Sequence, residues 1–210
     1  MNDKLEDQGD RLEPRGSADR RMRADAQRSI DALLQSALAV FATSGVDAPV
    51  REIAEKAGVG IGTVYRHFPQ RSDLVAAVFR REIDACADAA PILAAEHKPV
   101  EALGRWMQRY ADFIATKRGL ATALHSGNPA FEPLPAYFQT RLLPAFRALL
   151  DAAVAAGEVR ADVDADELLS AVANLSRQAH DEDSDRTRRM IALLVDGLRY
   201  GASPPVNTPS

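Results

Sequence analysis

Side chains that suit contact with a polyanion are concentrated in one short part of the chain. The set combines polar donors with one apolar residue and two glycines: Arg51, Gly60, Ile61, Gly62, Thr63, Tyr65, Arg66, His67 and Arg71. Hydroxyl, imidazole and guanidinium groups commonly donate to phosphate oxygens of nucleic acids, and glycine lets backbone approach such a ligand closely. We therefore expect this set to contact DNA. Tyr65 and His67 would bind phosphate. Thr63, with Ile61, would face base edges.

Two short helices must hold these residues. Each helix has apolar positions at the helical spacing i, i+3, i+4 and i+7. The positions are Val50, Ile53, Ala54, Ala57 in the first helix and Ile61, Val64, Tyr65, Phe68 in the second. Gly58 follows the first helix, where a residue with positive φ would end it. The spacing predicts a helix-turn-helix whose second helix enters the major groove. A plain helical hairpin with a solvated polar face has the same spacing.

The same stretch resembles the DNA-binding signature of the TetR family of bacterial transcriptional regulators. The matching positions are Ile53, Ala54, Ala57, Gly58, Val59, Tyr65, His67, Phe68, Arg71 and Leu74. The match covers about the first third of the chain, and the rest resembles the family only in its length and helical character. Gly60, Pro49 and Gln70 replace the Ser, Thr or Asn that the family often has at helix starts. These departures bear on cap hydrogen bonds and leave the expected fold unchanged.

Charge is distributed unevenly along the 210 residues. The net charge is −4, but residues 15–81 hold 11 basic and 7 acidic residues, a local +4, which leaves −8 for the rest. A basic segment on an acidic body is expected if only that segment contacts DNA. The single cysteine, Cys86, excludes an internal disulfide and fits a reducing compartment. No apolar run is long enough for a membrane span and no signal peptide is evident, so we expect a cytoplasmic protein.

The pattern of helices and breaks predicts an all-α chain in four parts. We expect a disordered basic arm at 1–24, a helix-turn-helix domain at 25–72, a helical ligand-binding and dimerisation domain at 73–202, and a disordered tail at 203–210. The arm would reach the minor groove or remain a solvated tail. Helices are expected at 25–44, from about 72 toward Pro91, and at 99–118, 137–156, 164–179 and 184–200.

No constellation of catalytic residues is evident. The glycines near Gly60 lack the preceding strand and the Lys-Ser/Thr pair of a phosphate loop. His67, His97, His125 and His180 have no metal-ligand spacing. We therefore expect no cofactor, no metal and no enzymatic activity.

Six of the twelve aromatic residues lie between positions 106 and 138. Ordinary core packing explains any one of them. The family resemblance implies that this region encloses a pocket for a small apolar or aromatic effector. The implied contacts are Trp106, Tyr110, Phe113, His125, Tyr137 and Phe138. The polar groups among them would belong to Trp106, Tyr110, His125 and Tyr137.

The two terminal helices are strongly apolar. Leu168, Val172, Leu194 and Leu198 lie at helical spacing and form either protomer core or a dimer face. The resemblance implies pairing into a four-helix bundle, hence a homodimer that binds a palindromic operator and acts as a ligand-responsive repressor. Two other classes remain open, a helical enzyme that binds a small molecule and a DNA-binding protein without a ligand.

Overall fold

The computed structural model describes residues 15–116, 127–178 and 184–200, and every regular element in them is helical. The predicted all-α class is confirmed. The helices are α1 (Arg15–Ser44), α2 (Val50–Ala57), α3 (Ile61–His67), α4 (Arg71–Glu96), α5 (Pro99–Thr116), a 3₁₀ turn (Pro129–Phe131), α6 (Leu134–Ala155), α7 (Ala165–Gln178) and α8 (Ser184–Arg199). None of these helices has the length and apolarity needed to cross a membrane.

Three helix boundaries differ from those expected. α1 begins at Arg15 instead of Asp25, because residues 15–24 are rich in Arg and Ala, which favour helix. α4 continues past Pro91 to Glu96, so that proline lies inside the helix. α6 begins at Leu134, before the expected Tyr137, with a proline in its first turn, where the missing N–H is tolerated. Residues 1–14 of the expected arm and the tail at 203–210 lie outside the described residues.

The N-terminal helices enclose a small apolar core. α1 packs against both α2 and α4. Its buried side chains include Leu33, Val40 and Phe41, and Ile53 of α2 and Val64 of α3 are buried with them in one continuous core. This core sets the angle between the two short helices, which are too short to be stable in isolation.

The C-terminal part is a helical bundle in which α5 is central. α5 packs against α4, α6, α7 and α8, and its residues Leu103, Trp106 and Met107 have no exposed surface. α4 also packs along α6, so the same helix belongs to both halves of the molecule. α4 is therefore the helix that connects the bundle to the N-terminal helices.

Candidate nucleic-acid interface and effector domain

The turn between α2 and α3 has the geometry that the glycine pattern predicts. Gly58 is left-handed, with φ 68°, and its N–H bonds the carbonyl oxygens of Ala54 and Glu55. Gly60 precedes α3 in an extended conformation and provides no side-chain cap. Its carbonyl oxygen instead accepts from the Thr63 N–H at 2.8 Å. The turn is thus closed by backbone hydrogen bonds alone, which leaves its side-chain surface open.

α3 presents one face to solvent and is anchored by the other. Val64 is buried, whereas Ile61 and Tyr65, one turn apart, are 46% and 49% exposed. Ile61 and Tyr65 thus form a small exposed apolar surface on α3. Gly60, Gly62, Arg66 and His67 are also exposed and Thr63 is half-buried. The residues expected to contact DNA in α3 therefore lie on one short accessible helix.

Gly62 has no side chain, so the backbone of α3 is accessible at this position. A Cβ built at Gly62 would meet no atom within 4 Å. The position is open toward solvent, so a phosphate or base edge could approach the backbone there.

Arg51 lies at the start of α2 and is exposed. Its Nε donates to Glu55 Oε1 at 3.0 Å. A solvent-exposed pair of this kind contributes little to stability. Arg51 can therefore exchange its carboxylate partner for a phosphate at small cost.

Arg71 has backbone contacts that the sequence did not predict. Its Nε donates to the carbonyl oxygen of Val46 at 2.6 Å, and its Nη2 donates to the carbonyl oxygen of Ala48. Both acceptors belong to the loop that precedes α2. The guanidinium thus joins the start of α4 to the helix-turn-helix. The start of α4 is also capped, since the Asp73 carboxylate accepts from the Gln70 N–H at 2.9 Å.

A polar cluster joins α4 to α6. Both carboxylate oxygens of Asp84 lie 2.7 Å from the Tyr137 hydroxyl, and Arg141 Nε donates to the same carboxylate at 2.8 Å. Arg141 also reaches Asp88 at 2.9 Å. Burial, followed by the hydrogen bond to Asp84, raises the pKa of the Tyr137 hydroxyl above its ordinary value. Asp84 and Asp88 have i, i+4 spacing on α4, and Tyr137 and Arg141 have the same spacing on α6. This shared spacing is a sequence signal that could have indicated the contact between the two helices.

The aromatic residues of the bundle form one continuous cluster. Its rings are Phe79, Trp106, Tyr110, Phe113, Phe138 and Phe146. Trp106 stacks on Tyr110 with ring centroids 5.6 Å apart. Four members belong to the expected effector set, while Phe79 and Phe146 lie outside it. Phe79 lies in α4 and Phe146 in α6, both outside the aromatic-rich segment, so the sequence did not indicate that they join this cluster.

Two of the expected polar contacts are already used by the fold. The Trp106 Nε1–H donates to the Cys86 carbonyl oxygen at 2.8 Å, and the Tyr137 hydroxyl binds Asp84. Trp106 thus contributes an apolar ring and not a spare donor. Phe131 lies apart from the cluster, in the 3₁₀ turn that packs on α4. His125 lies outside the described residues.

The four residues expected to form a dimer face do not lie on one exposed surface. Leu168, Val172 and Leu198 are at most 5% exposed within a single protomer. They have almost no surface left to bury against a second copy, so they belong to the protomer's own core. Leu194 is half-buried.

Leu194 instead borders an exposed apolar groove. The groove, about 510 Å³, also includes Leu175, Met190 and Gly197. Leu193 at its edge is 64% exposed. α8 thus turns one apolar side to the core and another to solvent, a division that a single helical stripe could not reveal.

No group of three or more potential metal-ligating side chains occurs among residues 15–116, 127–178 and 184–200.

Comparisons with known proteins agree with this geometry. Residues 33–78 match the family model described as bacterial regulatory proteins, tetR family. Residues 98–200 match the model described as transcriptional regulator SbtR-like, C-terminal domain. Curated relatives include HTH-type transcriptional regulators of Staphylococcus aureus that are 38% identical over 64 residues, which is 30% of this chain and 35% of theirs. That match spans only about a third of those relatives' length.

Solved structures match over more of the chain. A TetR transcriptional regulator from Streptomyces coelicolor is 37% identical, with a TM-score of 0.72 over 80% of this chain and 97% of that one. A TetR regulatory protein from Mycobacterium vanbaalenii is 36% identical, with a TM-score of 0.68 over 85% of this chain and 99% of that one.

Proposed function

This chain belongs to the TetR family of bacterial transcriptional regulators, which are DNA-binding proteins and not enzymes, and from this premise we propose that it is a homodimeric repressor released from a palindromic operator by a small effector. The exposed face of α3 is the observation that carries the proposal. A buried anchor at Val64 holds Ile61 and Tyr65 outward beside open glycine backbone. This is the arrangement that a recognition helix needs to enter the major groove. A protein that reads chromosomal DNA in this way would act in the cytoplasm.

Two copies are needed to read a palindrome, because each protomer carries one recognition helix. The groove at Met190, Leu193 and Leu194 supports a C2 interface, since apolar surface of this extent is usually covered by a partner. α7 and α8 of one protomer would pair with the same helices of its partner. Two recognition helices could then be spaced by about 34–36 Å, one turn of DNA.

The aromatic cluster supports an effector site for an apolar or aromatic molecule. Trp106, Tyr110 and Phe113 lie on α5, which packs on α4. An effector inserted beside these rings would have to displace α4 or α6, because the interior is closely packed. It would release DNA only if it binds the non-DNA conformation more tightly than the DNA-bound one.

α4 carries such a displacement toward the DNA. Phe131 is 7% exposed, lies in the 3₁₀ turn, and borders a cavity of about 320 Å³ that it shares with Val46 and Arg71. The C-terminal part therefore touches α4 beside the Arg71 bonds that hold the helix-turn-helix. A shift of this turn would act on the position of α3 through those bonds.

Selection from a random duplex DNA library tests the proposal without knowledge of the operator. We expect an enriched palindrome whose two half-sites bind one dimer, with affinity that falls steeply as salt rises. Enrichment of a single half-site would contradict the dimeric mode, and recovery of no sequence would contradict the operator itself.

A thermal-shift screen then separates a ligand-responsive regulator from a DNA-binding protein without a ligand. A true effector stabilises the protein by mass action and lowers its affinity for the selected DNA. Trp106, the only tryptophan, would report the same event by a change in fluorescence. A stabilising compound that alters neither signal would argue against this site.

A further inference from the structure

Ile61, the first residue of α3, has an aliphatic side chain that takes no part in the apolar core. The side chain is 46% exposed. Ile61 lies between Gly60 and Gly62, and a Cβ built at either glycine would meet no atom within 4 Å. The Ile61 side chain therefore projects from open backbone, with no side chain on either neighbouring residue.

The first turn of α3 has an outward direction that Val64 defines. Successive residues of an α-helix are rotated by about 100° around its axis, so Gly62 lies nearly opposite the buried Val64, and Ile61 and Thr63 lie on either side of Gly62. In helix-turn-helix proteins the first residues of the second helix contact base edges. A glycine at the centre of this turn allows close approach to the bases, which brings the Ile61 side chain within their reach.

The polar side chains that usually read bases are lacking from this turn. Asn and Gln bind adenine, Asp and Glu bind cytosine, and Arg and Lys bind guanine. Among the residues of α3 only Arg66 is of these types, and it belongs to the last turn. Ile61 itself has neither a donor nor an acceptor. It can therefore recognise only an apolar feature of a base pair.

The methyl group of thymine is the apolar substituent that base pairs present in the major groove. We propose that Ile61 recognises the 5-methyl group of one thymine in each operator half-site and thereby sets the base preference at that position. The contact removes both the methyl group and the exposed aliphatic side chain from water, which is favourable. A cytosine at the same position has no methyl group and offers Ile61 no apolar partner.

This inference rests on the proposed function, since it requires α3 to enter the major groove of an operator. It adds the chemical group of the DNA that Ile61 contacts. Its first test changes only the DNA, so the result does not depend on whether a protein variant folds.

Deoxyuridine in place of thymidine removes the methyl group and retains the base pair. Each thymine of the palindrome selected from the random library would be replaced in turn, in both half-sites at once, and the affinity of the full chain measured at fixed salt. At one position we expect a loss of about fourfold per half-site, or about 15-fold for both, the factor that corresponds to the transfer of one methyl group in each. The other thymines should tolerate the replacement.

5-Methylcytosine provides the converse test at the responsive position. Replacement of the T·A pair by C·G should weaken binding. 5-Methylcytosine in that C·G pair should recover about fourfold per half-site, because the methyl group returns to the same place in the major groove. Equal affinity for cytosine and 5-methylcytosine would contradict a methyl contact.

Protein variants assign the contact to Ile61. Ile61→Ala should fold, as thermal unfolding would check, and should bind the thymine and deoxyuridine operators equally well. Ile92→Ala is the matched control, because Ile92 is 56% exposed on α4, outside the helix-turn-helix; it should retain the full loss with deoxyuridine. A deoxyuridine effect that persists in a folded Ile61→Ala protein would assign the methyl group to another side chain and overturn the proposal.

The selected DNA also separates this inference from the proposed function. A palindrome that contains no thymine, or in which no thymine responds to deoxyuridine, would overturn the inference and leave the proposed function intact. Recovery of no sequence would overturn both. A single enriched half-site whose thymine responds would reject the dimer and support the contact at Ile61.

Discussion

The guanidinium of Arg71, at the first position of α4, donates to the carbonyl oxygen of Val46 at 2.6 Å, across the junction between α4 and the loop that precedes α2. A second donation reaches Ala48. These bonds give donors to two carbonyl groups of the loop, which take no part in the hydrogen bonding of a helix. The orientation of the helix-turn-helix on α4 therefore depends on a side chain that the sequence motif assigned to DNA.

Arg71→Ala should lower the free energy of unfolding by about 1–3 kcal/mol, because two partly buried carbonyl groups lose a charged donor. Operator affinity should fall with little change in its salt dependence. Urea unfolding and salt titration of DNA binding measure these quantities. Arg66→Ala, at an exposed site on α3, is the control and should show the reverse: unchanged stability and a salt slope smaller by about one. The same slope loss for Arg71→Ala would restore a phosphate role for Arg71.

Tyr65→Phe isolates the hydroxyl of an exposed residue and should leave stability within about 0.5 kcal/mol. If the hydroxyl binds phosphate, affinity should fall about equally for the selected operator and for random DNA. His67→Ala should likewise weaken binding to the selected operator and to random DNA about equally.

Thr63→Ala should instead relax sequence preference at one base pair, by about 1–3 kcal/mol of discrimination. Uniform loss for Thr63→Ala, or parent-like binding by a Tyr65→Ala, His67→Ala double variant, would reject these roles.

Leu193→Asp should convert the proposed dimer to a folded monomer, because it places a carboxylate in the exposed groove beside Met190 and leaves the protomer core intact. Sedimentation at micromolar concentration measures the change. Ile92→Asp, at a residue 56% exposed on α4, is the matched control and should remain dimeric. Val172→Asp should unfold the protomer, since Val172 is fully buried within it. A dimeric Leu193→Asp protein would move the interface elsewhere.

Tyr137→Phe keeps the ring and removes the hydroxyl that binds Asp84. Stability should fall by about 1 kcal/mol, near the middle of the range for a hydrogen bond in protein mutants. Tyr200→Phe removes an exposed hydroxyl and should leave the urea midpoint unchanged. If α4 transmits the effector signal through this cluster, Tyr137→Phe should also reduce the effect of the ligand on operator affinity. Equal midpoints for the two variants would show that the Asp84 bond contributes nothing.

Glu82→Gln should stabilise the protein at neutral pH. Burial, partly offset by the charges of Arg109 and Arg81, raises the pKa of the Glu82 carboxyl, so the folded state holds its proton more tightly than the unfolded state does. This carboxyl therefore lowers stability as pH rises from its ordinary pKa through its folded pKa, and the loss persists above that window. The Tm advantage of Glu82→Gln should vanish at a pH below both values, where Glu82 is protonated in both states. Arg81, Arg109 and Asp112 surround the group and are retained in the variant. An advantage that is constant with pH would contradict burial as its cause.

Local spacing predicted the two short helices and the turn between them, and the resemblance at matching positions then distinguished a helix-turn-helix from a plain helical hairpin. Helical periodicity relates residues three and four positions apart, so Ile53, Ala54 and Val64 could be assigned to the buried face before their partners were known. The same apolar stripe also included Ile61 and Tyr65, which the structure instead exposes to solvent. Gly58 marked the turn because a positive φ costs glycine least. The all-α class followed in the same way, from helical stripes and breaks. The start of α1 was misplaced because a charged segment rich in Arg and Ala is equally consistent with a helix and with a solvated arm.

Relations between distant segments were decided only by the tertiary structure. Arg71 carries a charge suited to phosphate, but the fold brings two backbone carbonyl groups to it first. Val172 and Leu193 are both apolar residues of the terminal helices, yet one is enclosed by its own protomer and the other faces solvent. A sequence shows which residues prefer burial. Which surface buries them depends on how the helices pack around α5, and that is a property of the whole chain.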